Sequence, residues 1–149
     1  MEFEWSDAKR AAVLQTRGID FVRLAHDLFD GRPILTVASP RDTEDRFVTV
    51  GPSDSRLFVV VWTWRGPAVR IITARRARDG EERRYRAQLR RSEPRSRGEA
   101  RTDWAKIDAT TATELEASIA ADPDDVREEL DWSQAVKGLP QRSTSASAS

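Results

Sequence analysis

The sequence predicts an α+β fold around a mostly antiparallel sheet, with two N-terminal helices, a basic helix after the last strand, and an appended short helical tail. Three observations predict it. Leu57 to Trp62 is an apolar run rich in β-branched and aromatic residues, too short for a helix with a solvent face, and reads as a strand buried on both sides. Arg65-Gly66-Pro67-Ala68 is turn chemistry, and Val69 to Ala74 reads as the returning strand of a hairpin. The element order β-α-α-β-β-β-β-α, with hairpin-length links in its later half, favours antiparallel pairing over a doubly wound parallel sheet.

In chain order, Phe3 and Trp5 alternate with Glu2 and Glu4, the period of a half-buried strand. Ser6 is an N-cap, Asp7 suits the positive end of the helix that follows, and Gly18 is its stop after Arg17. A second helix from about Asp20 places Phe21, Leu24, Ala25, Leu28 and Phe29 on one face and ends at Gly31-Arg32-Pro33. Ile34 to Val37 is a short strand and Ser39 to Asp45 a polar loop. Arg46 to Val50 alternates again and closes at Gly51-Pro52-Ser53-Asp54. After the hairpin, Asp79 to about Arg91 reads as the basic helix.

Ser92 to Arg101 has no periodicity and contains Pro94 and Gly98, so it reads as a linker. Thr111-Ala112-Thr113-Glu114 fits a capping box that opens a helix carrying Leu115 and Ile119, and Asp122-Pro123 stops it. Asp124 can cap a second short helix with Val126, Leu130 and Trp132. The expected division is a domain over 1–91, a linker over 92–101, an acidic helical segment over 102–138 and a disordered tail over 139–149. The acidic segment holds too few apolar residues to form a core, so it must dock on something or stay loose.

No run of about 18 apolar residues is present, which argues against a membrane span. Glu2 and Glu4, with no apolar stretch after them, argue against a signal peptide, and a cytoplasmic protein is the expectation. The absence of cysteine removes disulfides, thiolate metal sites and cysteine nucleophiles together. No cofactor is implied. The net charge of zero hides an asymmetry: residues 1–101 hold 21 Lys and Arg against 15 Asp and Glu, and residues 102–149 hold 4 against 10. From Arg65 to Arg101 there are 13 arginines against 5 acids. Opposed blocks of this kind fit a basic module for a polyanion and an acidic segment that competes for the same surface.

The residues also resemble a known family. Phe3-Glu4-Trp5 with Lys9, then Gly18 and Phe21, is similar to the W-x(3)-K…H-G-x-x-F start of the BrnT toxins, ribonucleases of type II toxin–antitoxin pairs with a RelE-like fold. Arg46-Phe47 with Gly51 matches that family's R-F-x-x-x-G strand. Arg70 to Ala77, followed by Glu81 and Tyr85, resembles its R-I-I-S-A-R-K-A…E…Y signature. The resemblance covers about residues 2–88. The chain departs from it at Val13, where the family usually has Asn, at Thr16-Arg17, where it has Lys-His, and at Gly80. Thr102 to Ala109 and Ile119 to Asp124 resemble, more weakly, the start of BrnA antitoxins, without the DNA-binding region that normally follows.

The resemblance implies a metal-independent endoribonuclease that cleaves RNA, free or ribosome-bound, and so blocks translation. Its expected partners are RNA and a BrnA-like antitoxin, supplied in trans or by residues 102–138 in cis; a homodimer would exchange tails. Such cleavage needs a base for the 2′-hydroxyl, cations for the phosphorane charge and an acid for the 5′-oxygen. Arg75 and Arg76 suit the second task, with Glu81 and Lys9 completing the catalytic candidates. The base is open between Glu81, Lys9 with a depressed pKa, and Tyr85. RNA-binding candidates are Arg17, Arg46, Arg65, Arg70 and Tyr85, and no metal ligands are assigned.

Each has a plainer reading: Arg75 and Arg76 as a solvated strand end, Glu81 as a helical i,i+4 partner, Lys9 as surface. Strand alternation puts Arg70 and Arg75 on opposite faces. His26 is expected in solvent, and Asp42, Glu44 and Asp45 in a solvated loop. Trp62 and Trp64 read as core before base-stacking platform. The rival functions are a non-enzymatic RNA-binding protein and a regulatory protein whose acidic segment permanently covers the basic face.

Overall fold

The computed structural model describes residues 2–30, 33–39, 46–88, 103–125, 130 and 132–140. The expected loop acids Asp42, Glu44 and Asp45, the linker 92–101, Val126 and Arg142 to Ser149 lie outside the described residues. Six strands form one sheet in the order β1-β5-β4-β3-β2-β6. β1 (Glu2–Glu4) runs parallel to β5 (Ala68–Arg76). β2 (Leu35–Ser39), β3 (Arg46–Ser53), β4 (Arg56–Arg65) and β5 pair antiparallel in sequence, as expected. No helix is long and apolar enough to cross a membrane, among the described residues.

The two N-terminal helices form where the caps place them. The Lys9 N–H donates to Ser6 Oγ at the start of α1 (Asp7–Arg17), and Gly18 ends it at φ 77°. Asp20 caps α2 (Phe21–Leu28), whose Phe21, Leu24, Ala25 and Leu28 are buried. With Phe58, Val60, Trp62, Val69 and Ile71 they make the core on one face of the sheet. Each such residue contributes about 1.5–3 kcal/mol by leaving water. The opposite face packs Leu35, Val48, Val50, Val59 and Val61 with Tyr85 of α3 (Asp79–Gln88) and Trp132. Gly51 sits where α2 crosses β3: a Cβ there would come within 2.9 Å of Leu28 Cγ and 2.7 Å of Ile34 Cγ2.

Three expectations need correction. β3 does not close at Gly51 but continues to Ser53, and Asp54 and Ser55, at φ 55° and 72°, form the hairpin turn. Two consecutive positive φ values match the twist of the flanking strands. Past Val50, β3 has no β2 neighbour, which is where a proline such as Pro52 is tolerated. Second, β5 carries a bulge. Ile71 faces Trp62 and Thr73 faces Val61, so Ile72 is the extra residue. The bulge reverses the alternation, and Arg70 and Arg75 end on the same face instead of opposite ones.

Third, the acidic segment holds elements the sequence did not announce. α4 (Trp104–Ala109) starts at an Asp103 cap, and α5 (Ala112–Ala121) opens on the expected Thr111–Glu114 capping box. A short turn at Trp132–Gln134 leads to β6 (Val136–Lys137), which pairs with the far edge strand β2. The segment docks: Ile107 joins the first core and Trp132 the second. Trp104 lies between two guanidinium groups, Arg56 at 4.6 Å and Arg23 at 5.3 Å from its ring centre. The Asp103 N–H donates to Gly18 O at 2.7 Å, fixing the start of α4 against the end of α1.

Candidate active site

The end of β5 positions the site. β1 pairs with β5 only up to Arg70, so the edge beyond it is covered by α1 and by α5 instead of a strand. Along that edge lie Thr73, Arg75 and Arg76 from β5, Lys9 and Arg17 from α1, and Glu81 from the first turn of α3.

Arg75 is 2% exposed, so it is not the solvated strand end of the plainer reading. Its Nη1 and Nη2 donate to the two Glu81 oxygens at 2.8 and 2.9 Å, and its Nε meets Asp125 at 3.1 Å. The reason is the bulge, which turns Arg75 inward toward α3. Burial alone would disfavour its charge, but Glu81 and Asp125 outweigh that and hold the guanidinium pKa above its ordinary value. Glu81 shows the converse: burial pushes it up, Arg75 and the Arg78 N–H outweigh that, and its pKa is lowered. A carboxylate held this way is a weak base. Arg78 N–H to Glu81 Oε1, at 2.7 Å, is also half of a capping box for α3.

Lys9 Nζ lies 2.7 Å from Asp122 Oδ1 and 2.9 Å from Asp124 Oδ2. Burial pushes its pKa down, but the two carboxylates outweigh this and the net shift is upward. With the tail docked, Lys9 is therefore an ammonium, without the depressed pKa that one of the three base alternatives requires. Arg17 donates to Ala74 O at 2.7 Å, Ser118 O at 3.0 Å and Ser118 Oγ at 2.9 Å, and its Nη2 is 3.2 Å from Asp122 Oδ2. The Thr73 hydroxyl donates to that same oxygen at 2.7 Å. Arg76 Nη1 donates to Thr110 O at 2.8 Å. Arg78 meets Glu116 with two bonds of 2.7 and 3.1 Å.

Lys9, Arg17, Arg75, Arg76 and Glu81 are thus brought to one edge. Arg46, Arg65 and Arg70 line an adjoining groove of about 560 Å³, which Lys9 also lines. Tyr85 is elsewhere: it is fully buried and its hydroxyl donates to Pro33 O at 2.8 Å, so it packs in the core of the docked chain and is not placed to meet a base or a proton. Trp62 is core, and Trp64 packs against that same core. His26 is exposed. Sequence reasoning missed Thr73 and Arg78, and only the i,i+3 spacing of Arg78 and Glu81 at a helix start signals the second.

No curated protein matches the chain. The sequence profile of one family, described as the ribonuclease toxin BrnT of type II toxin–antitoxin systems, matches residues 5–81. That span includes every residue just placed at the site from α1, β5 and α3, and stops before α4 and α5. It covers more than half of the chain, which therefore belongs to the BrnT family of ribonuclease toxins.

Proposed function

We propose that the edge formed by Lys9, Arg17, Thr73, Arg75 and Arg76 cleaves RNA without a metal, and that residues 102–138 act as an antitoxin-like cover in cis. The observation that carries the reading is where the tail's acids sit. Asp122 bridges Lys9 and Arg17, Asp124 adds to Lys9, Asp125 meets Arg75 and Glu116 meets Arg78. These carboxylates occupy the donors that would otherwise hold the oxygens of a scissile phosphate. Arg46, Arg65 and Arg70 extend the cationic track on which the flanking RNA would lie.

In this reading the proton acceptor is Lys9. Asp122 and Asp124, which raise its pKa, leave with the tail, and the Arg17 guanidinium that shared Asp122 with it then disfavours the ammonium. Arg17 and Arg76 hold the phosphorane charge, and Arg75 orients Glu81 and the β5 terminus. The chain acts in the cytoplasm, where its RNA is. A second reading, RNA binding without cleavage, is favoured by one observation. Arg17 stands where the family carries histidine, and its Nη1 is bound to a backbone carbonyl.

The test uses the full chain and a Leu115→Ala/Ile119→Ala variant, which removes the buried apolar contacts of α5. Each is incubated with RNA, with and without EDTA. Cleavage that appears in the variant and survives chelation supports the enzyme. Salt-sensitive binding without cleavage supports the second reading, and equal cleavage by both chains removes the cover.

A further inference from the structure

Docking of the tail does not fill the site. Between the end of β5, the end of α1 and helices α4 and α5 it leaves a partly open cavity of about 420 Å³. Small-molecule sites commonly run from about 300 to 1,000 Å³. Four cations line it, and they divide into two kinds. Arg17 and Arg75 are committed to Asp122, Asp125 and Glu81. Arg76 and Lys106 face no carboxylate within ion-pair distance among the described residues. Arg76 uses only Nη1, on the carbonyls of Thr110 and Ile107, which leaves its Nε and Nη2 donors available. Glu114, the acid of the lining, has one oxygen held by the Thr111 N–H. The remaining wall includes Ile19, Ile107 and Leu115, an apolar surface.

We infer that this cavity binds a nucleoside monophosphate, with the phosphate between Arg76 and Lys106 and the base against the apolar wall that Leu115 of α5 completes, and that the bound nucleotide holds α5 shut. A guanidinium fork and an ammonium suit a phosphate dianion. A flat ring at the other end of the ligand matches the apolar wall. Glu114, Leu115 and Ser118 of α5 close the wall opposite Arg76, Ile19 and the α4 residues Lys106 and Ile107, so the complete pocket exists only while α5 is docked. A ligand of the docked state alone shifts the equilibrium toward it. The inference deepens the proposed cover by giving it a regulator, but its test reads docking and not RNA cleavage.

The full chain is titrated with AMP, adenosine and inorganic phosphate while amide exchange of α5 is followed. As AMP rises to about 100 times its Kd for the docked state, protection of the α5 amides rises, by at most about 100-fold. Adenosine and inorganic phosphate alone give much less. Lys106→Ala weakens the AMP effect about tenfold or more, the loss of one charge-assisted bond, and leaves α5 protection without ligand as it was. No protection by AMP, equal protection by inorganic phosphate, or an undiminished AMP effect in Lys106→Ala would each overturn the inference. Failure of the covering role, seen as equal RNA cleavage with α5 docked or lifted, would leave an AMP effect on exchange standing.

Discussion

Asp122→Asn should open the candidate site in an otherwise intact chain. The carboxylate is 5% exposed, and its partners include the Lys9 ammonium, the Arg17 guanidinium, the Thr73 hydroxyl and the Asp124 N–H. An amide keeps one oxygen and turns an NH2 toward either Lys9 or Arg17 and Thr73, all of them donors. Hydrogen bonds to charged groups contribute about 1.5–3 kcal/mol each, and breaking one partner of a buried charged pair costs about 2–5 kcal/mol. Lys9 keeps Asp124, which puts the expected loss at the lower part of that range, about 2–3 kcal/mol. At a factor of ten per 1.4 kcal/mol, the population with α5 undocked rises about 30- to 140-fold. Two readouts check this: hydrogen exchange of the α5 amides should speed up by that factor, and RNA cleavage by the full chain should rise with it. Asp108→Asn, at the exposed Arg56 pair outside the site, is the control and should change neither much. Unchanged exchange in Asp122→Asn would refute the energetics; faster exchange without added cleavage would refute the assignment of the site.

Three further outcomes are expected. Arg75→Ala removes the cation that Glu81 and Asp125 share in the interior and should lower unfolding stability by about 3–5 kcal/mol, read by denaturant unfolding. Arg75→Lys, which keeps the charge and loses the fork, should fall between it and the parent. Docking of α5 should be bounded in pH on both sides. Burial raises the Asp122 carboxyl but Lys9 and Thr73 outweigh it, so its docked pKa lies below the ordinary 3.8; its contribution is present above 3.8 and lost as pH falls through the docked value. Lys9 is shifted above 10.5, so its contribution is complete below 10.5 and lost as pH rises through the docked value. The α5 protection should therefore be flat from about pH 5 to 9, and a step near neutrality would point to other groups. Finally, Arg65→Ala and Arg70→Ala, made in the Asp122→Asn chain, should each reduce the slope of log RNA affinity against log salt by about 0.7. An unchanged slope removes the groove from the RNA path.

Much of the scaffold was legible because it is written in local chemistry. Ser6, Gly18, Asp20 and the Thr111–Glu114 box act within one helical turn, and each cap stands where the residue types put it. The hairpin was legible from Gly66-Pro67, where Gly66 takes φ 61°. What was not legible depends on contacts distant in sequence. Nothing in Arg70 to Arg76 announces that Ile72 will be the bulged residue, because the bulge follows from the pairing of β5 with β4. Hence the faces of Arg70 and Arg75 were misjudged, and with them the burial of Arg75, whose partner Asp125 is 50 residues away. α4 is six residues with one buried side chain, too short to stand alone, and forms against the Arg23–Trp104–Arg56 stack. The clustering of Lys9, Arg17, Arg75 and Arg76 was foreseen only as a set of residue types.

The distribution of contacts along the tail says which part of it can move. Ile107 and Trp132 are built into the two cores, and β6 is hydrogen-bonded to β2 at the far edge of the sheet. Detaching either end means opening a core. α5 lies between these anchors and is held differently: Leu115 and Ile119 are buried but belong to neither core, and its other ties include Arg17 to Ser118, Arg78 to Glu116, and the acids that follow it. The exposed Arg78–Glu116 pair weakens as salt rises, whereas the buried pairs of Asp122 and Asp125 are screened less and the two apolar anchors do not depend on salt in this way. Opening should therefore be local, with α5 lifting while α4 and β6 stay, as in other sub-global openings. A cover anchored at both ends stays at high effective concentration and recloses quickly. Salt should thus raise α5 exchange before it affects the Trp104 or Trp132 environments, and simultaneous release of all three would mean that the tail leaves as one unit.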